Sequence, residues 1–231
     1  MDRDGFRHEM KYICTDAELS MLEKRLSPMM QPDRHATPSG TYLIRSIYFD
    51  DTDNSCFRDN ENGVSPREKW RIRCYDRNAD HLSLECKRRE SNLIKKRSCL
   101  LTREQFEALL NNGAGLSVSD RQPPLLNRFI LLVRTHHFMP KVIVQYERRP
   151  LIYRAGNVRV TFDRNIASSD HFDRFFAADL PLRPVMPTGR QLLEIKYDAF
   201  LPDFLSKEIQ LGHMRQETFS KYYLCRRYMI R

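Results

Sequence analysis

Polar and apolar positions alternate with a period of two along several stretches of the chain, which predicts β-strands with one charged and one apolar face. In REKWRIRCYD (67–76), Lys69, Arg71 and Arg73 take one parity and Trp70, Ile72 and Cys74 the other. Arg7, Glu9 and Lys11 share a face in FRHEMKYIC (6–14), and Glu85 and Lys87 oppose Leu82, Leu84 and Cys86 in HLSLECKRR (81–89). Tyr146 and Arg148 oppose Ile143 and Glu147 in KVIVQYERRPLIY (141–153). Arg159, Thr161 and Asp163 alternate with Val158, Val160 and Phe162 in VRVTFDR (158–164), and Glu194, Lys196 and Asp198 with Leu193, Ile195 and Tyr197 in QLLEIKYD (191–198). TYLIRSIYFD (41–50), rich in β-branched and aromatic residues, and LIKKRSCLL (93–101) complete the set.

Helical signals stand between the strands. Thr15 and Glu18 have capping-box spacing ahead of a Leu19, Leu22, Leu26 stripe that Pro28 ends. Thr102 and Gln105 repeat the signature ahead of a helix through Leu110, with Gly113 as its stop. Helices are also expected over 123–138, 203–211 and 217–230, a turn at NENG (60–63), and a long irregular excursion around Pro181, Pro184, Pro187 and Gly189. Hairpin-linked strands with a few helices predict an α+β fold on an antiparallel sheet, spanning 1–231 as a single domain.

A half-buried strand usually turns its polar face to water. Six such strands in one open sheet would leave an unusually charged surface, and their apolar faces would still need cover. A sheet closed into a barrel, with helices packed outside, meets both demands and turns the charged faces inward. Unpaired interior charge is costly, so the interior is expected to be a wet tunnel that takes a polyanion. Arginine matches phosphate oxygens bidentately. Glu9, Glu85, Asp163 and Glu194 recur among the cations, and a few carboxylates can hold Mg²⁺ or Mn²⁺ together with substrate phosphates.

Composition agrees. The chain carries 39 Lys+Arg against 30 Asp+Glu, a net charge of +9, which favours an anionic partner. The six cysteines have no CxxC or zinc-like spacing and read as small buried hydrophobes. No apolar run is long enough to span a bilayer, and MDRDGFRHEM has no signal-peptide core, so a cytoplasmic location is expected. No Gly-rich Rossmann or Walker loop is present. Trp70, Phe162 and Tyr197 lie opposite the charges rather than among them, which argues against specific nucleic-acid binding by base stacking. His136 and His137 cannot share a helical face and are given no role.

The ordered motifs HEMKY (8–12), SIYFD (46–50), KWRIR (69–73), LECK (84–87), LIKKR (93–97), YERR (146–149), RVTFD (159–163), LEIK (193–196) and FSKY (219–222) together resemble the catalytic domain of the VTC polyphosphate polymerases, within the triphosphate tunnel metalloenzymes. The resemblance implies an antiparallel tunnel, Mn²⁺ or Mg²⁺ as cofactor, and ATP and polyphosphate as partners, with the γ-phosphoryl group passed to a growing chain. Carried over by position, it implies that Lys11, Arg71, Arg73, Lys87, Arg148, Arg159 and Lys221 act on the phosphates. Glu9, Lys69, Glu85, Tyr146, Lys196 and Ser220 would complete the lining, and Glu194 would hold the metal. The lysine of LIKKR is Lys95 or Lys96, with Lys96 favoured by its distance to the following Leu-Thr. Hydrolytic tunnel enzymes resemble E-x-E-x-K in the first strand, where this chain has Arg7-x-Glu9-x-Lys11. That cation favours holding a polyanion over a two-metal hydrolytic site. The alternatives are a triphosphate or polyphosphate hydrolase on the same barrel and a non-catalytic polyphosphate-binding protein.

Overall fold

The computed structural model describes residues 7–33, 36–91, 93–210 and 214–229. Its elements run β1 (His8–Thr15), α1 (Asp16–Leu26), β2 (Gln31–Pro32), β3 (Tyr42–Asp50), α2 (Ser55–Glu61), β4 (Arg67–Tyr75), β5 (Leu82–Glu90) and β6 (Leu93–Leu101). They continue with α3 (Arg103–Leu110), α4 (Pro124–Thr135), β7 (Met139–Tyr153), β8 (Val158–Ser169), β9 (Arg183–Pro184), β10 (Arg190–Tyr197), α5 (Asp203–Ile209) and α6 (Lys221–Arg227). The fold is α+β on an antiparallel sheet, as expected. The main strand order is β1-β10-β8-β7-β3-β4-β5-β6, with the short β2 and β9 attached to β7 and β8.

The sheet curls until its two edges meet. Arg7, just before β1, and Ile94 on β6 form a single antiparallel bridge. The register is irregular at Tyr48/Phe49 of β3 and at Gln145/Glu147 of β7, and irregularities of this kind bend a strand. Register fixes which side chains share the concave face. Lys69 pairs with Lys87, Arg71 with Glu85 and Tyr48, and Arg73 with Ser83 and Ser46. Lys11 pairs with Glu194, Glu9 with Lys196, and Arg148 with Asp163.

The convex face is apolar and covered by helices. Both expected capping boxes form, at Thr15/Glu18 and Thr102/Gln105. Leu19, Leu22 and Leu26 of α1 pack with Leu205 and Ile209 of α5 onto Val160, Phe162, Leu193 and Ile195. On the other side Trp70 stacks on Phe129 of α4 at 5.2 Å, and Ile72 and Cys74 are fully buried.

Several elements depart from the sequence reading. α2 forms over 55–61, where no helix was expected, and runs into the turn expected at 60–63. Its N-cap Asn54 makes no side-chain cap bond, and the carboxylate of Asp50 instead accepts the Cys56 and Phe57 N–H groups at 2.9 and 3.0 Å. β8 continues past residue 164 through a positive φ at Asn165. The last helix begins at Lys221 rather than 217, because Ser220 is extended and caps it. α6 also leaves the outer layer. Its Lys221 and Tyr222 reach over the concave face, where Tyr222 stacks on Tyr48 at 5.0 Å and its hydroxyl donates to Asp50 at 2.5 Å. Phe6, Leu211 and Ile230, ends of three expected elements, lie outside the described residues.

Candidate functional site

The inner faces of β1, β4, β5, β7 and β10, with the start of α6, enclose a cavity of about 170 Å³. Ten lysines and arginines line it, against three glutamates.

Glu9, Glu85, Asp163 and Glu194, in or behind this wall, are each shared between cations. Glu9 pairs with Lys11 at 2.8 Å and Lys87 at 2.9 Å. Glu85, buried behind Arg71, pairs with it at 2.6 Å and with Lys96 at 3.1 Å. Asp163 takes Arg148 at 2.6 Å and Lys221 at 2.7 Å. Glu194 contacts Lys196 closely, with Lys221 at 3.7 Å and Arg148 at 4.0 Å. Burial would raise these carboxyls, but the surrounding cations outweigh it. Lys87, Lys11 and Lys196 hold Glu9 well below the usual carboxylate value, and Arg71, Arg73 and Lys96 do the same to Glu85. Lys196, Lys11, Lys221 and Arg148 do so to Glu194. These acids are therefore ionised, and surplus positive charge remains for a ligand.

Arg73 is held without a close carboxylate, by Ser46 Oγ at 3.2 Å and the Tyr146 hydroxyl at 3.3 Å, with Glu85 3.9 Å away. Burial would raise Tyr146, but Arg148, Arg73 and Lys221 lower it. Lys69 is unlike its neighbours. It donates to Asn60 Oδ1 and, at 2.8 Å, to Ser220 Oγ, and among the described residues no carboxylate pairs with it. Burial, then Lys11, Lys87 and Arg67, lower its ammonium well below the usual value.

Glu194 and Glu9 flank the Lys196 ammonium, which lies against Glu194 and 3.9 Å from Glu9. Among the described residues no three Asp, Glu, His or Cys side chains converge on a metal-sized site. That excludes an all-protein cage there. It fits an ion held by one or two carboxylates with substrate phosphate oxygens completing the shell.

The structure thus brings together Glu9, Lys11, Lys69, Arg71, Arg73, Lys87, Tyr146, Arg148, Glu194, Lys196, Ser220 and Lys221 around one cavity. Three expected lining residues lie elsewhere, Glu85 among them, buried behind Arg71. Lys96 sits half-exposed on edge strand β6 and reaches Glu85 from the side. Arg159 stands four residues along β8 from Asp163, about 13 Å at 3.3 Å per residue. It opens on a second cavity with Asp33, Tyr42, Tyr75 and His81, where it meets Asp33 and the Tyr42 hydroxyl, both at 2.7 Å. Sequence reasoning missed Tyr48, whose hydroxyl accepts from Arg71 at 2.7 Å, although its parity with Ser46 carried the signal. It also missed Asn60, which no pattern marked because α2 was not foreseen.

The site is a cation-lined tunnel on the inner face of a curled antiparallel sheet. The chain matches the VTC domain over residues 6–230 and belongs to that family. Its fold is that of the triphosphate tunnel proteins. A Bacillus halodurans protein described as a proposed adenylate cyclase is similar at TM-score 0.50 and 14% identity, over 89% of this chain and 87% of the other. A Pyrococcus horikoshii OT3 protein is similar at TM-score 0.50 and 14% identity, over 94% and 97%. Comparison with curated proteins finds no match. Among the described residues no helix is long and apolar enough to cross a membrane.

Proposed function

We propose that this protein is an ATP-dependent polyphosphate polymerase. The observation that carries the reading is the cavity wall, in which ten lysines and arginines outnumber three glutamates and Glu9 and Glu194 are already matched by cations. An extended chain of phosphates supplies the missing negative charge at regular intervals.

Phosphoryl transfer requires positioning and charge stabilisation more than covalent work by the protein. Arg71, Arg73 and Arg148 point guanidinium groups into the cavity from β4 and β7, placed to donate to equatorial oxygens of the transferred group. Lys11, Lys87 and Lys221 surround the space from β1, β5 and α6 and hold neighbouring phosphates. The terminal phosphate of the acceptor chain is already anionic and needs no base. Glu194, with Glu9 across from it, would hold Mg²⁺ or Mn²⁺ in exchange for the Lys196 ammonium. The ion, when bound, adds neutralising charge on the phosphate oxygens.

Purified protein incubated with ATP and Mn²⁺, with polyphosphate, ADP and orthophosphate measured, tests the reading. Polyphosphate formation that is lost in Glu194→Gln and Arg71→Ala supports it. Orthophosphate without chain growth replaces it with a hydrolase. Polyphosphate binding without turnover reduces it to a binding protein.

A further inference from the structure

The Lys69–Ser220 contact has no part in the transfer just described, yet it joins an amine to a hydroxyl inside the phosphate cavity. We propose that Ser220 is itself a phosphoryl acceptor, with Lys69 as the base that takes its proton. The proposal rests on the reading that a phosphoanhydride occupies this cavity.

Geometry singles out this hydroxyl. Ser220 Oγ lies 2.8 Å from Lys69 Nζ, and the Tyr223 N–H donates to the same oxygen at 3.2 Å, which fixes its position. The other hydroxyls of the lining are committed, apart from that of the exposed Thr218. Those of Tyr48 and Tyr146 accept from Arg71 and Arg73, and that of Tyr222 donates to Asp50. Lys11, Lys87, Lys196 and Lys221 are each engaged by a carboxylate, whereas among the described residues no carboxylate pairs with Lys69. Lys69 faces Lys11 from β1, Arg67 on its own strand, Lys87 from β5, Cys56 from α2 and the Tyr222 ring from α6. The cations among these disfavour its charged form, and a deprotonated amine can accept from the Ser220 hydroxyl across the same 2.8 Å.

The step balances. Ser220 Oγ forms a bond to the γ-phosphorus of ATP, and the bond from that phosphorus to the β–γ bridging oxygen breaks. ADP leaves with the electron pair, and the hydroxyl proton ends on Lys69 Nζ. The products are a serine phosphate ester, ADP and a Lys69 ammonium beside the new anion. The ester would place a terminal phosphate oxygen among Lys11, Lys69 and Lys87, where a first acceptor is needed when no chain is bound.

The test is incubation of the full chain with γ-labelled ATP and Mn²⁺ without added polyphosphate, followed by denaturation in acid and peptide mapping. Acid spares a serine ester and destroys a phospholysine. The expected result is label on Ser220, absent in Ser220→Ala and transferred to the threonine in Ser220→Thr, which keeps a capping hydroxyl. Lys69→Met slows labelling about a hundredfold or more, the scale of a lost general base. Label elsewhere, or label that persists in Ser220→Ala, overturns the proposal. If the wild type turns over ATP or binds polyphosphate but carries no acid-stable label, the proposal fails and the functional reading stands. If it neither turns over ATP nor binds polyphosphate, the functional reading fails and takes the proposal with it.

Discussion

Arg148 and Asp163 face each other across β7 and β8 in a two-point ion pair, Nε to Oδ1 at 2.6 Å and Nη2 to Oδ2 at 2.7 Å, with the carboxylate fully buried. Lys221 brings α6 onto the same carboxylate. Asp163 therefore fastens the last helix to the sheet while masking two cations. Breaking a buried pair on one side costs about 3–5 kcal/mol. Asp163→Asn is expected to lose stability of that order in urea titrations without ligand. Its affinity for polyphosphate should rise, because Arg148 and Lys221 are unmasked. Added polyphosphate should then restore more stability to the variant than it gives the wild type.

Burial pushes Lys87 down to about 8, against the pull of Glu9, with Lys11 and Lys196 adding to the depression. An anion favours the ammonium form. Below about pH 8 this lysine is already charged and its contribution to affinity is level; above it, binding must take up a proton. Polyphosphate affinity is expected to fall there by up to tenfold per pH unit for this one group. Lys69 acts in the same direction. The folding term has the opposite sign. The unfolded chain binds more protons between about 8 and the ordinary 10.5, so the Lys87 contribution to stability rises with pH over that window. Calorimetric titrations in buffers of different ionisation enthalpy, on either side of pH 8, measure the proton uptake directly.

The two cavities divide the arginines. Arg71 lines the cavity with Glu194, whereas Arg159 sits in the other with Asp33. Arg71→Ala is expected to weaken binding of inorganic triphosphate at least tenfold more than Arg159→Ala, a difference of about 1.4 kcal/mol. Equal losses would place triphosphate across both cavities.

Trp70 contributes to the outer layer alone, stacked on Phe129 with Arg128 over its ring. Trp70→Ala should cost about 3–5 kcal/mol, read as a lowered melting temperature. Polyphosphate affinity per folded molecule should hold, since the cations of β4 point the other way.

Where local pattern governed, the sequence was readable. Lys69, Arg71 and Arg73 turn inward and Trp70, Ile72 and Cys74 outward because a strand offers only two faces. Thr15/Glu18 and Thr102/Gln105 cap helices with bonds made within four residues. What stayed hidden depends on contacts distant in sequence. α2 is held by Asp50 rather than by a cap of its own. The continuation of β8 passes through Asn165 at φ 56, a conformation that reads as a turn. Alternation assigned Arg159 to the right face but carried no information on its distance along the tunnel. The Lys69–Ser220 contact joins residues 151 positions apart, and no local signal could pair them.

Lys11 on β1 donates to the Phe219 carbonyl, 208 positions away, at 2.8 Å. A phosphate chain gripped by Lys11 and Lys221 would therefore act as a reversible strap across almost the whole length of the polypeptide. Its release would loosen the molecule as a unit, so occupancy and global resistance to unfolding should rise and fall together.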